Sequence, residues 1–184
     1  MGARVTVKKN PRNIVIITPI VVLKYRRDWN LRKIFWEFVL TWKAFLHSVS
    51  TMPFLFGPII VRRTIGGTLL ARANINEAWR QALEAIAEIS AANIEHLEVR
   101  HPQYHMIVKK DGTVAIIDFE RGKLTRRTKN IPRFVVWLLE RGISPDDVDT
   151  AIKSLKYVKE HEKKGAEKSI SYHRNRRRTQ SARQ

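Results

Sequence analysis

The sequence has no cysteine, which excludes a disulfide framework, zinc sites built on thiolates and any thiol nucleophile. It also has no apolar run long enough to cross a bilayer. The longest, Ile14 to Leu23, is broken by Thr18 and Pro19, well short of a spanning helix. The N-terminus shows neither the apolar core nor the small-residue cleavage site of a signal peptide, so a cytoplasmic location without a membrane partner is expected. Glycine is missing from the whole stretch between Gly2 and Gly57. Acids are few: Asp and Glu total 17 against 35 Lys and Arg, a net charge of +18 at pH 7.

What is present reads as globular. A hydrophobic content of 43% with 28% charged residues in 184 residues suits one domain of ordinary size with a real core. The cationic surplus is uneven and calls for a polyanionic partner or a solubility role. Arg174 to Arg183 holds five arginines and no acid. With Lys163, Lys164 and Lys168 before it, residues 163–184 read as a basic tail that cannot fold alone. Contact with RNA, DNA or an acidic protein is expected of that tail, by an attraction that fades with salt. A second block, Arg121, Lys123, Arg126, Arg127, Lys129 and Arg133, also lacks carboxylates. No zinc finger, RNA-binding aromatic signature or recognition helix stands out.

Short Val/Ile-rich runs at Arg4–Lys9, Ile14–Ile17 and Ile20–Tyr25, parted by turn residues, predict three successive antiparallel strands. Leu31, Ile34, Phe35, Phe38, Trp42, Phe45 and Leu46 recur at helical spacing, with Asp28 or Asn30 able to cap the start. Pro53, Gly57 and Pro58 mark a loop before the strand run Ile59–Val61. Gly66-Gly67 breaks the chain. A long amphipathic helix follows, carrying Trp79, Ala82, Leu83, Ile86 and Ile89. His105–Val108 and Thr113–Ile117 flank an Asp111-Gly112 turn, a hairpin signal. Pro132 suits the first turn of a helix, and Ser144-Pro145-Asp146-Asp147 reads as a cap followed by dipole-matched acids. The five tryptophans, Trp29, Trp36, Trp42, Trp79 and Trp137, are most simply core or helix-packing residues. The order describes an α+β chain, a small sheet region joined to a mainly helical one, with a cleft between them.

The chemistry-bearing residues follow that order. Lys24 closes the third strand run and Glu37 lies on the next helix. His96-Leu97-Glu98 follows the long helix. Ala115-Ile116-Ile117-Asp118-Phe119-Glu120 ends a buried strand in a carboxylate, for which a hard cation is one natural partner. These features in this order resemble the protein-kinase fold. The string Ile117-Asp118-Phe119-Glu120-Arg121, then a short basic segment and Asn130, is similar to the small atypical kinases related to the RIO group, the archaeal predicted Ser/Thr kinases. The resemblance spans about Val5 to Glu160 in element order. It implies a bilobal fold: residues 1–65 as an antiparallel-sheet lobe, 66–162 as a reduced helical lobe, and 163–184 as the tail. It implies transfer of the ATP γ-phosphate to a hydroxyl. Lys24, held by Glu37, would contact phosphates; Asp118 would chelate Mg or Mn, with His105 as a second metal ligand; Glu98 would orient the acceptor hydroxyl.

Thirteen positions separate His105 from Asp118, the usual interval between the metal-binding asparagine and aspartate of kinases. Seven separate Glu98 from His105, two more than usual, so a loop insertion is needed; Gln103 keeps that interval but loses the other. Three departures accompany the match. Glu98 replaces an aspartate. His105 replaces an asparagine and suits manganese better than magnesium. The loop Lys8-Lys9-Asn10-Pro11-Arg12-Asn13 has cations where a glycine-rich loop would offer amides. Gly66-Gly67 reads either as the hinge beside a base site or as a plain turn. A pseudokinase that binds RNA or a partner, and a nucleic-acid-binding protein of unrelated fold, are the alternatives.

Overall fold

The computed structural model describes residues 5–156 and 158–181; Arg4 and Arg183, named above, lie outside them. Strands β1 (Thr6–Lys9), β2 (Asn13–Ile17) and β3 (Val21–Arg26) form the expected meander. With no glycine available, the first turn is closed by a side chain. Asn10 Oδ1 accepts from the backbone N–H of Arg12 (2.9 Å) and Asn13 (2.6 Å), the local bond that makes Asn a turn former.

Helix α1 (Leu31–Leu46) is capped by Asn30, whose side chain accepts from Lys33 N–H. Asp28 is engaged by Arg26 instead. The aromatic stripe is not the buried side of this helix. Ile34, Glu37, Leu40, Thr41 and Ala44 are buried, while Leu31, Phe35 and Leu46 are exposed. Of the five tryptophans only Trp79 and Trp137 are buried; Trp29 and Trp36 are exposed. The reason is that α1 turns Glu37 inward to meet a charge on the sheet, and that orientation leaves the ring stripe at the periphery.

The stretch expected as a loop is instead a strand, β4 (Pro53–Phe56), hairpinned to β5 (Ile59–Arg63). Gly57, at φ 52°, and Pro58 make the two-residue reversal, which requires a positive φ at its first residue. Proline is tolerated because it opens a strand at the sheet edge. The five strands lie antiparallel in the order β1-β2-β3-β5-β4.

The chain then reaches β6 (Thr68–Leu69), helix α2 (Ile75–Ala91), β7 (Ile94–Glu95), the hairpin β8 (Met106–Val108) and β9 (Val114–Ile116), β10 (Lys123–Leu124), and helices α3 (Asn130–Glu140), α4 (Pro145–Ser154) and α5 (Glu160–Ser181). β6 pairs with β8, and β7 with β10. The fully buried core sits between α2, α3 and the hairpin, where Leu83, Ile86, Ile116, Phe119, Phe134 and Leu138 meet. Ser144 caps α4 as expected.

The basic segment beginning at Lys163 is helical through its described part rather than unfolded. Ala166 and Ile170, one turn apart, are buried, and Gly165 lets the helix approach Pro132 of α3. Glu162, fully buried, accepts from Ile131 N–H at the first turn of α3 and from Ser90 Oγ, both at 3.2 Å. A carboxylate at a helix start is favoured by the unpaired amides there. The charge of the segment would not fold it in isolation; this apolar and hydrogen-bonded stripe docks it on the body.

Gly67 has a packing reason for its identity. Its φ is +147°, and a Cβ there would lie 2.2 Å from the carbonyl oxygen of Val108. Gly67→Ala should therefore cost about 2–3 kcal/mol through backbone displacement and a strained φ, read as a lower urea midpoint. Gly66→Ala, with open space around the added methyl, should change it little.

Candidate functional site

Alternation along β3 places Val22, Lys24 and Arg26 on one face of the sheet, the face turned toward α1 and the helical part. Lys24 Nζ reaches Glu37 Oε1 of α1 at 2.8 Å, Asp118 Oδ1 at 2.9 Å and Glu120 Oε2 at 3.1 Å. Asp118 follows β9 and occupies the left-handed region at φ 65°. Asp tolerates that conformation better than most residues, and such backbone positions cluster at functional sites. The turn is anchored from both sides: Ile117 N–H donates to His105 O at 2.9 Å, and Phe119 is fully buried against the His96 ring, centroids 5.1 Å apart.

The second group lies on the other side of Asp118. Glu98 sits in the one-turn helix Leu97–Arg100, with Oε2 3.6 Å from His105 Nε2 and Oε1 3.5 Å from Arg121. One ligand atom each of Glu98, His105 and Asp118 lies within 4.8 Å of the others, and the same holds for Glu37, Asp118 and Glu120. All five residues singled out in the sequence, Lys24, Glu37, Glu98, His105 and Asp118, thus converge, with Asp118 shared by both groups. Asn130 holds the loop that carries Glu98: it accepts from His96 N–H and donates to Ile94 O and Ser90 Oγ.

Lys24, Glu37, His105, Asp118 and Glu120 border a cavity of about 320 Å³; Glu98 stands outside its lining. Val15, Ile17, Val22, Ile107 and Ile117 make its apolar wall, and the connection Arg63–Ile65 just before Gly66 runs along it. Of the three loop cations, Lys8 lines this space, and Asn10 and Asn13 line it too; alternation in β1 turns Lys9 to the opposite face.

Sequence reasoning missed four contributors: Glu120, Arg26, Asn13 and Arg62. Glu120 accepts from Lys24, from Arg26 Nη1 (2.8 Å) and from Asn13 Nδ2 (2.9 Å). Asn13 and Arg26 are paired in the β2–β3 register, so one carboxylate ties two strands to the segment after Asp118. Arg62 also lines the cavity. The available signal was strand period: Arg26 is two residues from Lys24, and Arg62 two from Ile60, both inward positions.

The electrostatics follow from burial set against neighbouring charge. Burial alone would lower the Lys24 ammonium, but Glu37, Asp118 and Glu120 outweigh it and hold the pKa well above its ordinary value. Burial would raise Asp118 and Glu120, yet Lys24 pulls both below the usual carboxylate range. For Glu37 burial wins over Lys24, and its pKa is raised. His96 is pushed down to about 4 by burial, with His105 adding repulsion, and is neutral in the fold at pH 7.

Two outcomes follow. Lys24→Met leaves three carboxylates facing one another, which should cost about 3–5 kcal/mol at pH 7. Asp118 and Glu120 with lowered pKa stabilise the fold above their ordinary range and lose that contribution as pH falls through their folded values. The gap to wild type should therefore narrow as pH falls and close only once Asp118 and Glu120 of the wild type are themselves protonated, below the ordinary carboxylate range, as read by urea unfolding. His96, lowered from 6.5 to about 4, contributes nothing above pH 6.5. Below it the unfolded chain takes up the proton first, so metal-free protein should lose about 3 kcal/mol between pH 6.5 and 4 from this residue. His96→Gln should flatten the slope of unfolding free energy against pH between 6.5 and 5.

No protein-family profile and no curated protein matches the sequence. Among solved structures, the chain is similar to WbdD, in a co-crystal structure with the kinase inhibitor LY294002, with a TM-score of 0.56 and 15% identity. The match covers 89% of this chain and 44% of that one, so the chain spans less than half the length of WbdD. At this identity the likeness concerns the fold alone, a kinase-like one: mixed α/β, with an antiparallel sheet and, among the described residues, five α-helices.

Proposed function

We propose that this chain is an atypical, minimal Ser/Thr-type kinase-like phosphotransferase of RIO-related character that moves the ATP γ-phosphate to a hydroxyl acceptor. The observation that carries the reading is the bridge from Lys24 to both Glu37 and Asp118 at the edge of the 320 Å³ cavity. Residues 1–65 serve as the smaller lobe and 66–162 as the larger, with the basic segment 163–184 as an extension. The likeness in fold to WbdD, crystallised with a kinase inhibitor, supports the kinase-like reading.

In this reading the apolar wall of Val15, Val22, Ile107 and Ile117 receives the base, and Lys24, oriented by Glu37, meets the phosphates with Lys8 and Arg62 nearby. Asp118 and His105 offer one oxygen and one nitrogen for a divalent cation, a donor pair that fits manganese at least as well as magnesium. Such an ion supplies neutralisation of phosphate charge. Glu98 orients the acceptor hydroxyl and takes its proton, with Arg121 3.5 Å from that carboxylate. The rate gain comes from positioning and fixed charge rather than covalent chemistry.

A second reading has one observation in its favour: all three N–H bonds of Lys24 are already given to carboxylates. Phosphates would have to displace at least one. A pseudokinase that keeps this network closed and binds RNA or an acidic partner through its basic segment is the alternative.

Thermal unfolding with ATP and either Mn or Mg separates them. At about a hundredfold excess over Kd, binding adds roughly 2.7 kcal/mol, a rise of about 5–10 °C for a chain of this size. Asp118→Asn should abolish that rise, and radiolabelled ATP should label an acceptor or the protein itself. A rise without transfer selects the binding module; no rise with either metal rejects the nucleotide site.

A further inference from the structure

The two faces of the five-stranded sheet divide its charge unusually. An antiparallel sheet packed on one side normally turns its apolar residues inward and its polar ones to water. Here the inward face carries Lys24, Arg26, Arg62 and Asn13 among Val15, Ile17, Val22 and Ile60, while the outward face, Lys9 and Arg63 apart, is apolar. The register lines up Val7, Ile16, Leu23, Val61 and Phe54 in one row across all five strands. The adjacent row runs from Lys9 through Tyr25 to Phe56. Val7 is 51% exposed, Phe54 50% and Phe56 64%. The contacts that join the sheet to α1 and to the segment after β9 are made through the inward residues, so among the described residues no element covers the outer side. An apolar surface of this kind marks an interaction site.

The charge around it says what the occupant must be. Lys9 lies in the face, Arg63 stands beside Val21 at its end, and Arg12 and Arg27 are exposed at the turns. Residues 1–65 contain two acids, Asp28 and Glu37, and both are consumed internally, by Arg26 and Lys24. An occupant is therefore apolar in depth and anionic at its boundary. A second copy would bring the same cations against themselves. Trp29, 61% exposed, donates its indole N–H to Tyr25 Oη at 3.0 Å, setting two amphipathic rings at the border of the patch. Trp and Tyr favour the boundary between hydrocarbon and water. We propose that this outer face docks on the surface of an anionic lipid bilayer, with Phe54 and Phe56 entering the acyl boundary and Lys9, Arg12, Arg27 and Arg63 meeting headgroups. No described helix is long and apolar enough to cross a membrane; the contact is peripheral, of the kind that apolar area and headgroup charge hold together. Lys24 and Asp118 lie on the opposite side of the sheet; Arg63, at the end of the face, also borders the cavity.

Co-sedimentation of the full chain with large unilamellar vesicles tests this. Vesicles of phosphatidylcholine with about one-third phosphatidylglycerol should pellet the protein, and phosphatidylcholine alone should do so weakly. Phe54→Ser with Phe56→Ser should lower the partition coefficient about tenfold or more while keeping the wild-type unfolding transition. Lys9→Gln with Arg63→Gln should weaken binding and reduce its salt dependence. Equal pelleting of wild type and the phenylalanine pair would overturn the inference, leaving only charge attraction. So would a dimer in sedimentation equilibrium that the phenylalanine pair dissolves, or tight capture by a soluble acidic polypeptide that depends on those rings.

Discussion

The ammonium of Lys24 is the point on which the fold and the candidate site both turn. It is a charge taken largely out of water, a cost of several kcal/mol per ion unless partners restore the lost solvation. Three carboxylates from three places in the sequence do so, Glu37 from α1, Asp118 from the end of β9 and Glu120 two residues on. Removing any one partner leaves the others mismatched, so the group specifies an arrangement more than it adds stability. It sets which way α1 faces, since only one rotation of the helix turns Glu37 to the sheet, and that rotation is why the aromatic stripe stands at the periphery.

Glu120 explains how a loop without glycine can sit above the cleft. Asn10 closes the β1–β2 turn with its own side chain, and Glu120 grips Asn13 at the end of that turn while also holding Arg26. Side-chain bonds thus set a backbone position that glycine-rich loops reach by conformational freedom. Such a loop is stiff and offers few amides; it brings Lys8 and asparagine side chains to the cavity instead.

Much of this was legible in the sequence, for identifiable reasons. Asp118 and Lys24 could be named because each ends an apolar strand run, where a charge is conspicuous; Glu37, Glu98 and His105 became legible only through their order and spacing relative to those two, as the kinase resemblance implies. The helix spacing of Trp79, Ala82, Leu83, Ile86 and Ile89 and the Asp111-Gly112 turn are local signals, and α2 and the β8–β9 hairpin stand where those signals put them. What escaped depends on contacts far apart in the chain. Glu120 and Arg26 are ordinary charged residues until the fold sets them 2.8 Å apart across 94 positions. Pro53 argued against a strand because its tolerance depends on β4 being an edge, a property of the sheet. The basic segment read as unstructured because Glu162, Ala166 and Ile170 form a sparse stripe that only α3 makes useful.

The sheet links the chemistry to the surface. Its inner face mixes lysine, arginine and asparagine with Val15, Ile17, Val22 and Ile60, so ion pairs and hydrogen bonds join apolar contacts in holding it to the helical part. Its aromatic residues, with the other half of its β-branched ones, fall by period-two alternation on the outside. One constraint, a charged cleft on a strand face, therefore has two consequences: a partly polar junction on one side and an apolar exterior on the other. The same alternation that aims Lys24 at Asp118 aims Leu23 and Tyr25 away from it. A surface produced in this way is stable in water only as far as its neighbours shield it, and the cationic corners at Lys9 and Arg63 select what can lie against the face between them.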